Sequence, residues 1–149
     1  MSDDHLRLIP TDPYFIPHPA AIHQALDVFD RYVQAIRGTS AEVFTAVQFV
    51  DQGSNFERIL CPNCRTEVAT QWWQQAMDES YEGGFLDLKV STPCCGFLTT
   101  LNDLQFEWPA GFACFILEAV NPHSDLSQQQ ISNIEQILGK PVRKIWAHY

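Results

Sequence analysis

The sequence predicts an α+β domain in which a single mixed β-sheet is covered by three helices. Three observations predict it. Ile22, Leu26, Phe29, Val33 and Ile36 recur at helical spacing and make one apolar stripe. Residues 42–50 and 112–120 are rich in β-branched, aromatic and other apolar side chains without clean alternation, as strands buried on both faces are. Ser127 and Gln130 form an S-x-x-Q capping box, with Leu126 and Ile131 at the hydrophobic-staple positions around it.

Taken in order, residues 1–18 read as an extended N-terminal arm. Pro10, Pro13 and Pro17 argue against helix there, and Tyr14, Phe15 and Ile16 are placed to pin the arm to the body. The first helix is expected over 19–37, opening on Pro19 and closing at Gly38. The 42–50 strand ends in the turn-forming run Asp51-Gln52-Gly53-Ser54-Asn55. A return strand over 56–60 leads to Cys61. A second helix is expected over 66–81, ended by Gly83-Gly84. Trp72 and Trp73, side by side on it, cannot both face the same core: either one is exposed as a candidate binding residue, or both are buried between helix, sheet and arm. Strands over 85–90, 103–108 and 112–120 follow, the last nearly continuous in apolar residues and so central. The capped helix then leads to a final strand over 142–149, giving a βαβ unit with a right-handed crossover. No repeat or linker divides the 149 residues, so they are expected to form one domain.

The 9 basic and 18 acidic residues leave a net charge of −9. Its distribution says more. Lys140, Arg143 and Lys144 all lie in the last strand region, so the first 135 residues hold every acid and only 6 bases. Such a surface repels nucleic acid and anionic membranes; it would attract a basic protein partner, or serve solubility alone. No apolar run approaches the ~18 residues of a membrane span. The acidic start, with no apolar stretch behind it, predicts no secretory signal and therefore a cytoplasmic protein. Thiols stay reduced there, and spaced cysteines read as metal ligands.

Cys61-Pro62-Asn63-Cys64 and Cys94-Cys95 are the candidate ligands. A tetrahedral zinc takes four thiolates, and a C-x-x-C turn aims two sulfurs at one point. Adjacent cysteines need a tight turn to do the same, and Pro93 and Gly96 supply it. Both pairs follow an expected strand, so neighbouring strand ends would bring all four together. That makes residues 58–97 a zinc-knuckle insertion with a structural Zn2+. A three-cysteine site with one of Cys94 and Cys95 merely buried stays open. So does a reversible disulfide or a set of inert thiols. Arg58, Arg65, Lys89 and the start of the second helix are expected to offset the thiolate charge. Cys114 reads as a small core residue.

The Cys-Pro-x-Cys and Pro-Cys-Cys-Gly motifs, with Leu101-Asn102-Asp103-Leu104 and Trp108-Pro109-Ala110-Gly111-Phe112-Ala113 after them, resemble small uncharacterised bacterial proteins carrying a zinc-ribbon-like insertion. The resemblance spans roughly residues 58–122 and implies a metal site without implying an activity.

No catalytic residues are assigned. The H-x-E and P-C-x-x-C pair of zinc deaminases, H-E-x-x-H, G-x-S-x-G, the P-loop and G-x-G-x-x-G are all missing. Of the histidines, His123 has the best placement, in the loop after the central strand. Glu118, inside an apolar strand, needs a partner, and Arg143 or Lys144 is the expected one. The reading that results is a non-enzymatic binding module whose acidic surface docks a basic protein, by analogy with a bacterial immunity protein. A zinc hydrolase or other metalloenzyme with an open metal position is the alternative. A zinc-ribbon nucleic-acid binder is disfavoured by charge.

Overall fold

The computed structural model describes residues 2–149. Its main sheet has four strands: β1 (Asp4–Pro10), β2 (Thr39–Val50), β7 (Gly111–Val120) and β8 (Val142–His148). They lie in the order β2-β7-β1-β8. Helix α1 (Pro19–Val33) connects β1 to β2, and α3 (Gln128–Leu138) connects β7 to β8. Between β2 and β7 come β3 (Ile59–Leu60), α2 (Thr70–Glu82), β4 (Lys89–Ser91), β5 (Leu98–Thr100), a 3-10 turn (Leu101–Asp103) and β6 (Gln105–Phe106).

The α+β class and the three helices are as the sequence predicts. The pairing is not mixed, because every ladder of the main sheet is antiparallel. Strands β1 and β2 both run against β7 and so run parallel to each other, with β7 between them. Strands β7 and β8 are parallel in the same way, with β1 between them. Each βαβ unit is therefore split by a strand of the other, the ferredoxin-like arrangement. Residues 51–110 form one insertion into the hairpin that joins β2 to β7.

The expected arm is the largest correction. Met1 lies outside the described residues. Asp4–Pro10 is not an arm but a strand with a partner on each side. The prolines misled because they begin only where the strand ends. Before Pro10 the residues alternate as a strand requires. Leu6 and Leu8 are fully buried on one face, against Phe29 and Val33 of α1 and Ile134 and Leu138 of α3. Burying side chains of this size contributes about 1.5–3 kcal/mol each. His5, Arg7 and Ile9 point the other way.

Other boundaries shift for local reasons. Helix α1 stops at Val33 because Gln34 turns left-handed at φ 45° and its N–H donates to the carbonyl of Asp30. Ile36 therefore falls off the stripe and is 73% exposed. Helix α2 starts late, since Thr66 and Val68 are held in a hairpin with Cys61 and Ile59. The 56–60, 85–90 and 103–108 strands shorten to Ile59–Leu60, Lys89–Ser91 and Gln105–Phe106. At Phe85, φ is 58°, which no strand adopts. Helix α3 starts as expected, with both halves of the capping box formed.

The insertion has a core of its own, built from Ile59, Cys61, Val68, Leu88, Leu104 and Phe106 and closed over Phe112 and Cys114 of β7. Trp72 and Trp73 both pack on it. Of the two outcomes the sequence left open, packing of both is the one found. The insertion's core is wide enough to meet both, and Trp73 alone stands about 6 Å from Phe49, Phe56 and Phe106.

Asn102 clamps the insertion to the sheet. It is 3% exposed. Its Nδ2 donates to the carbonyl of Thr11 at 3.0 Å, and its Oδ1 accepts the N–H of Phe112 at 2.9 Å. Arg143 donates to the carbonyls of Asn102 and Ala110 at 3.0 and 2.8 Å. That engagement is why Arg143 does not serve Glu118. The partner of Glu118 is Arg7, directly opposite it in register, and Lys144 pairs with Asp125 instead. Replacing Asn102 with alanine orphans a buried amide and part of a buried guanidinium. Asn102→Ala is expected to lower the unfolding free energy by roughly 3 kcal/mol, read by denaturant titration.

Candidate metal centre

Two short hairpins carry the cysteines. Strand β3 delivers Cys61 into a turn that closes with the N–H of Cys61 on the carbonyl of Thr66, 2.9 Å. Arg65 at φ 65° reverses the chain. Strands β4 and β5 flank the second turn, 92–97, where Gly96 does the same at φ 69°.

The turns face each other, and all four sulfurs of Cys61, Cys64, Cys94 and Cys95 lie within 4.8 Å of one another. Cys61 and Cys95 are 3.7 Å apart, and Cys64 and Cys94 are 3.3 Å apart. With metal–sulfur bonds of about 2.3 Å, the corners of a tetrahedron lie about 3.8 Å apart. The set thus fits one metal ion. Cys61 is fully buried at the base, and the other three form an exposed rim. The cysteines expected from the sequence are the ones brought together, Cys94 and Cys95 both included. Among the described residues no histidine or carboxylate joins them. His123 sits in the exposed loop after β7, and Cys114 is buried in the insertion's core.

Backbone amides and neutral side chains do the electrostatic work assigned to the bases. Burial pushes the Cys61 thiol up. The Thr92 hydroxyl and the N–H groups of Cys64 and Asn63 overcome this and bring it down to about 6. The Thr92 hydroxyl, the Asn63 amide and the N–H of Phe97 lower Cys95. Cys94 is pushed up to about 11, chiefly by sharing a proton with Cys64 and then by burial. The expected helper Arg58 instead donates to Glu107 at 2.8 Å. Helix α2, starting only at Thr70, does not open directly on the thiolates.

Sequence reasoning missed Thr92. It is 2% exposed, and its Oγ1 stands 3.5 Å from the sulfurs of both Cys61 and Cys95. The signal was present in Thr92-Pro93-Cys94-Cys95, which echoes Cys61-Pro62-Asn63-Cys64.

Metal removal should loosen the insertion before the main sheet, since the two have separate cores. A chelator is expected to shift tryptophan emission from Trp72 and Trp73 to the red at a temperature where far-UV circular dichroism still reports α1 and α3. A single cooperative loss of both signals would contradict this.

Comparison with family models, curated proteins and solved structures finds no match for this chain. The resemblance to bacterial proteins with a zinc-ribbon-like insertion therefore has the clustered cysteines as its support.

Proposed function

We propose that this chain is a non-enzymatic, zinc-stabilised binding module of the cytoplasm, and that the acidic insertion docks a basic protein. Zinc suits a four-thiolate set, and four sulfurs fill its shell, leaving no open position for a substrate. The side chains that touch the sulfurs, Thr66, Thr92 and Asn63, are neutral hydrogen-bonding groups rather than acids or bases. Reduced thiols suit a reducing compartment.

One observation carries the docking half. Residues 51–110 hold nine acids and three bases, and the end of α2 concentrates them. Asp78, Glu79, Glu82 and Asp87 are exposed there beside Tyr81 and Leu86, which are 70% and 72% exposed. The last turn of α2 has no basic residue. A helix C-terminus favours cations, so each acid placed there costs about 0.3–1 kcal/mol. A basic partner reverses that sign. Five of the nine bases, Arg7, Arg31, Arg37, Arg58 and Lys144, lie in ion pairs.

The double variant Glu79→Lys, Glu82→Lys tests this. Thermal unfolding is expected to stay the same or rise slightly. Affinity capture with the wild type is expected to hold a basic protein that elevated salt releases and the variant fails to hold. Equal capture by both proteins, or none by either, would sink the reading.

A further inference from the structure

The two hairpins that carry the cysteines are built alike, but their sulfurs stand in different places. In the first, the N–H of Cys61 donates to the carbonyl of Thr66 at 2.9 Å, and the N–H of Arg65 donates back to the carbonyl of Cys61 at 3.0 Å. In the second, the N–H of Thr92 donates to the carbonyl of Phe97 at 3.0 Å, and the N–H of Gly96 donates back to the carbonyl of Thr92 at 2.9 Å. Proline follows the first residue in each, as Pro62 and Pro93. The fifth residue is left-handed in each, Arg65 at φ 65° and Gly96 at φ 69°. Burial matches too: Cys61 and Thr92 are buried, while Cys64 and Cys95 are exposed.

Superposed on this pattern, Cys64 corresponds to Cys95, and Cys61 corresponds to Thr92. Asn63 corresponds to Cys94. Resting on the metal-binding reading above, we infer that Thr92 occupies a ligand position of the second knuckle and that Cys94 supplies the fourth sulfur from a transposed one.

The hydroxyl is where a sulfur belongs. Its 3.5 Å to Cys61 and to Cys95 is close to a tetrahedral edge of about 3.8 Å. Thr92 Oγ1 instead accepts the N–H of Phe97 at 3.1 Å, which holds the turn closed and the oxygen against two sulfurs. Thr92 is thus a positioning residue. It fills the inner corner and leaves the fourth bond to Cys94, which approaches from the exposed rim beside Cys64. Three sulfurs stand at positions shared by the two hairpins or replaced by Thr92, and the fourth comes from the third position of the second turn, the place Asn63 holds in the first.

A cysteine at 92 should then make Cys94 dispensable. The full chain is loaded with Co(II) alone, and the sulfur-to-cobalt charge-transfer band is measured for the wild type, Cys94→Ala and the double variant Thr92→Cys, Cys94→Ala. The wild type is expected to show a four-sulfur spectrum. Cys94→Ala should lose one sulfur's share of the band, and the double variant should regain it. A double variant that keeps the Cys94→Ala spectrum overturns the transposition and leaves the metal centre standing. A wild type that takes up no cobalt overturns the metal centre and this inference with it. The single variant Thr92→Cys keeps every native thiol and needs no rescue of folding. Once it is metal-loaded, a thiol alkylator is expected to label Cys94 and spare the new thiol at 92. The reverse labelling overturns the inference.

Discussion

Four thiols held within 4.8 Å cannot all ionise beside one another. Without a cation they must divide protons: Cys94 is pushed up to about 11, chiefly by its bond with Cys64, while Cys61, raised by its burial, is brought down to about 6 by the Thr92 hydroxyl and the amides of Cys64 and Asn63. A divalent ion removes the conflict by giving every sulfur a positive neighbour. An ion bound there would brace the insertion. Its sheets are two-stranded, β3 with β6 and β4 with β5, and β4 and β5 are three residues each. Hairpins of that kind are marginal by themselves. Their tips meet at the four sulfurs, and their flanks share one apolar core.

The split βαβ frame tolerates so large an insertion because β2 and β7 are already neighbours. Sixty residues leave from and return to one hairpin, and β2 and β7 stay paired on both sides of an irregularity between Val43 and Gln48. The exit is stitched shut by Gln52, whose Nε2 donates to the carbonyl of Trp108 at 3.1 Å. Asn102 and Arg143 then tie the end of the insertion to β7 and β8. At Gly111 the approach is so close that an added Cβ would stand 2.7 Å from Arg143 and 2.8 Å from Ile9. The pairing of β2 breaks between Val43 and Gln48, where the sheet passes from the helix-side core to that of the insertion.

What the sequence made legible follows a physical division. Features set by neighbours in the chain were readable: the capping box of α3, the stripe of α1 and the C-P-N-C turn. Features set by distant partners were not. No local signal places Asp4–Pro10 between β7 and β8, because that depends on which strands cross over. Glu118 announced its need for a partner but not its identity, since Arg7 lies 111 residues away in sequence. The short strands of the insertion were overextended because apolar residues there serve a packed core without regular pairing. At the metal site the four sulfurs were legible by residue type. Thr92 was signalled only by the echo of Cys61-Pro62-Asn63-Cys64 in Thr92-Pro93-Cys94-Cys95, and its contact with two sulfurs depends on how the hairpins face each other.

Charge and metal belong to one design problem. A closed four-thiolate centre around a divalent ion would carry two negative charges, in the part of the chain where acids already outnumber bases nine to three. Stability alone would favour lysines around it. Instead, the bases within reach are turned elsewhere or left on the rim, and acids cap the wrong end of α2. Amides and hydroxyls, which stabilise thiolates without cancelling net charge, surround the sulfurs. On the proposed reading, that combination would keep the insertion negative while a bound ion held it rigid, and a rigid charged surface can bind without spending binding energy on ordering itself.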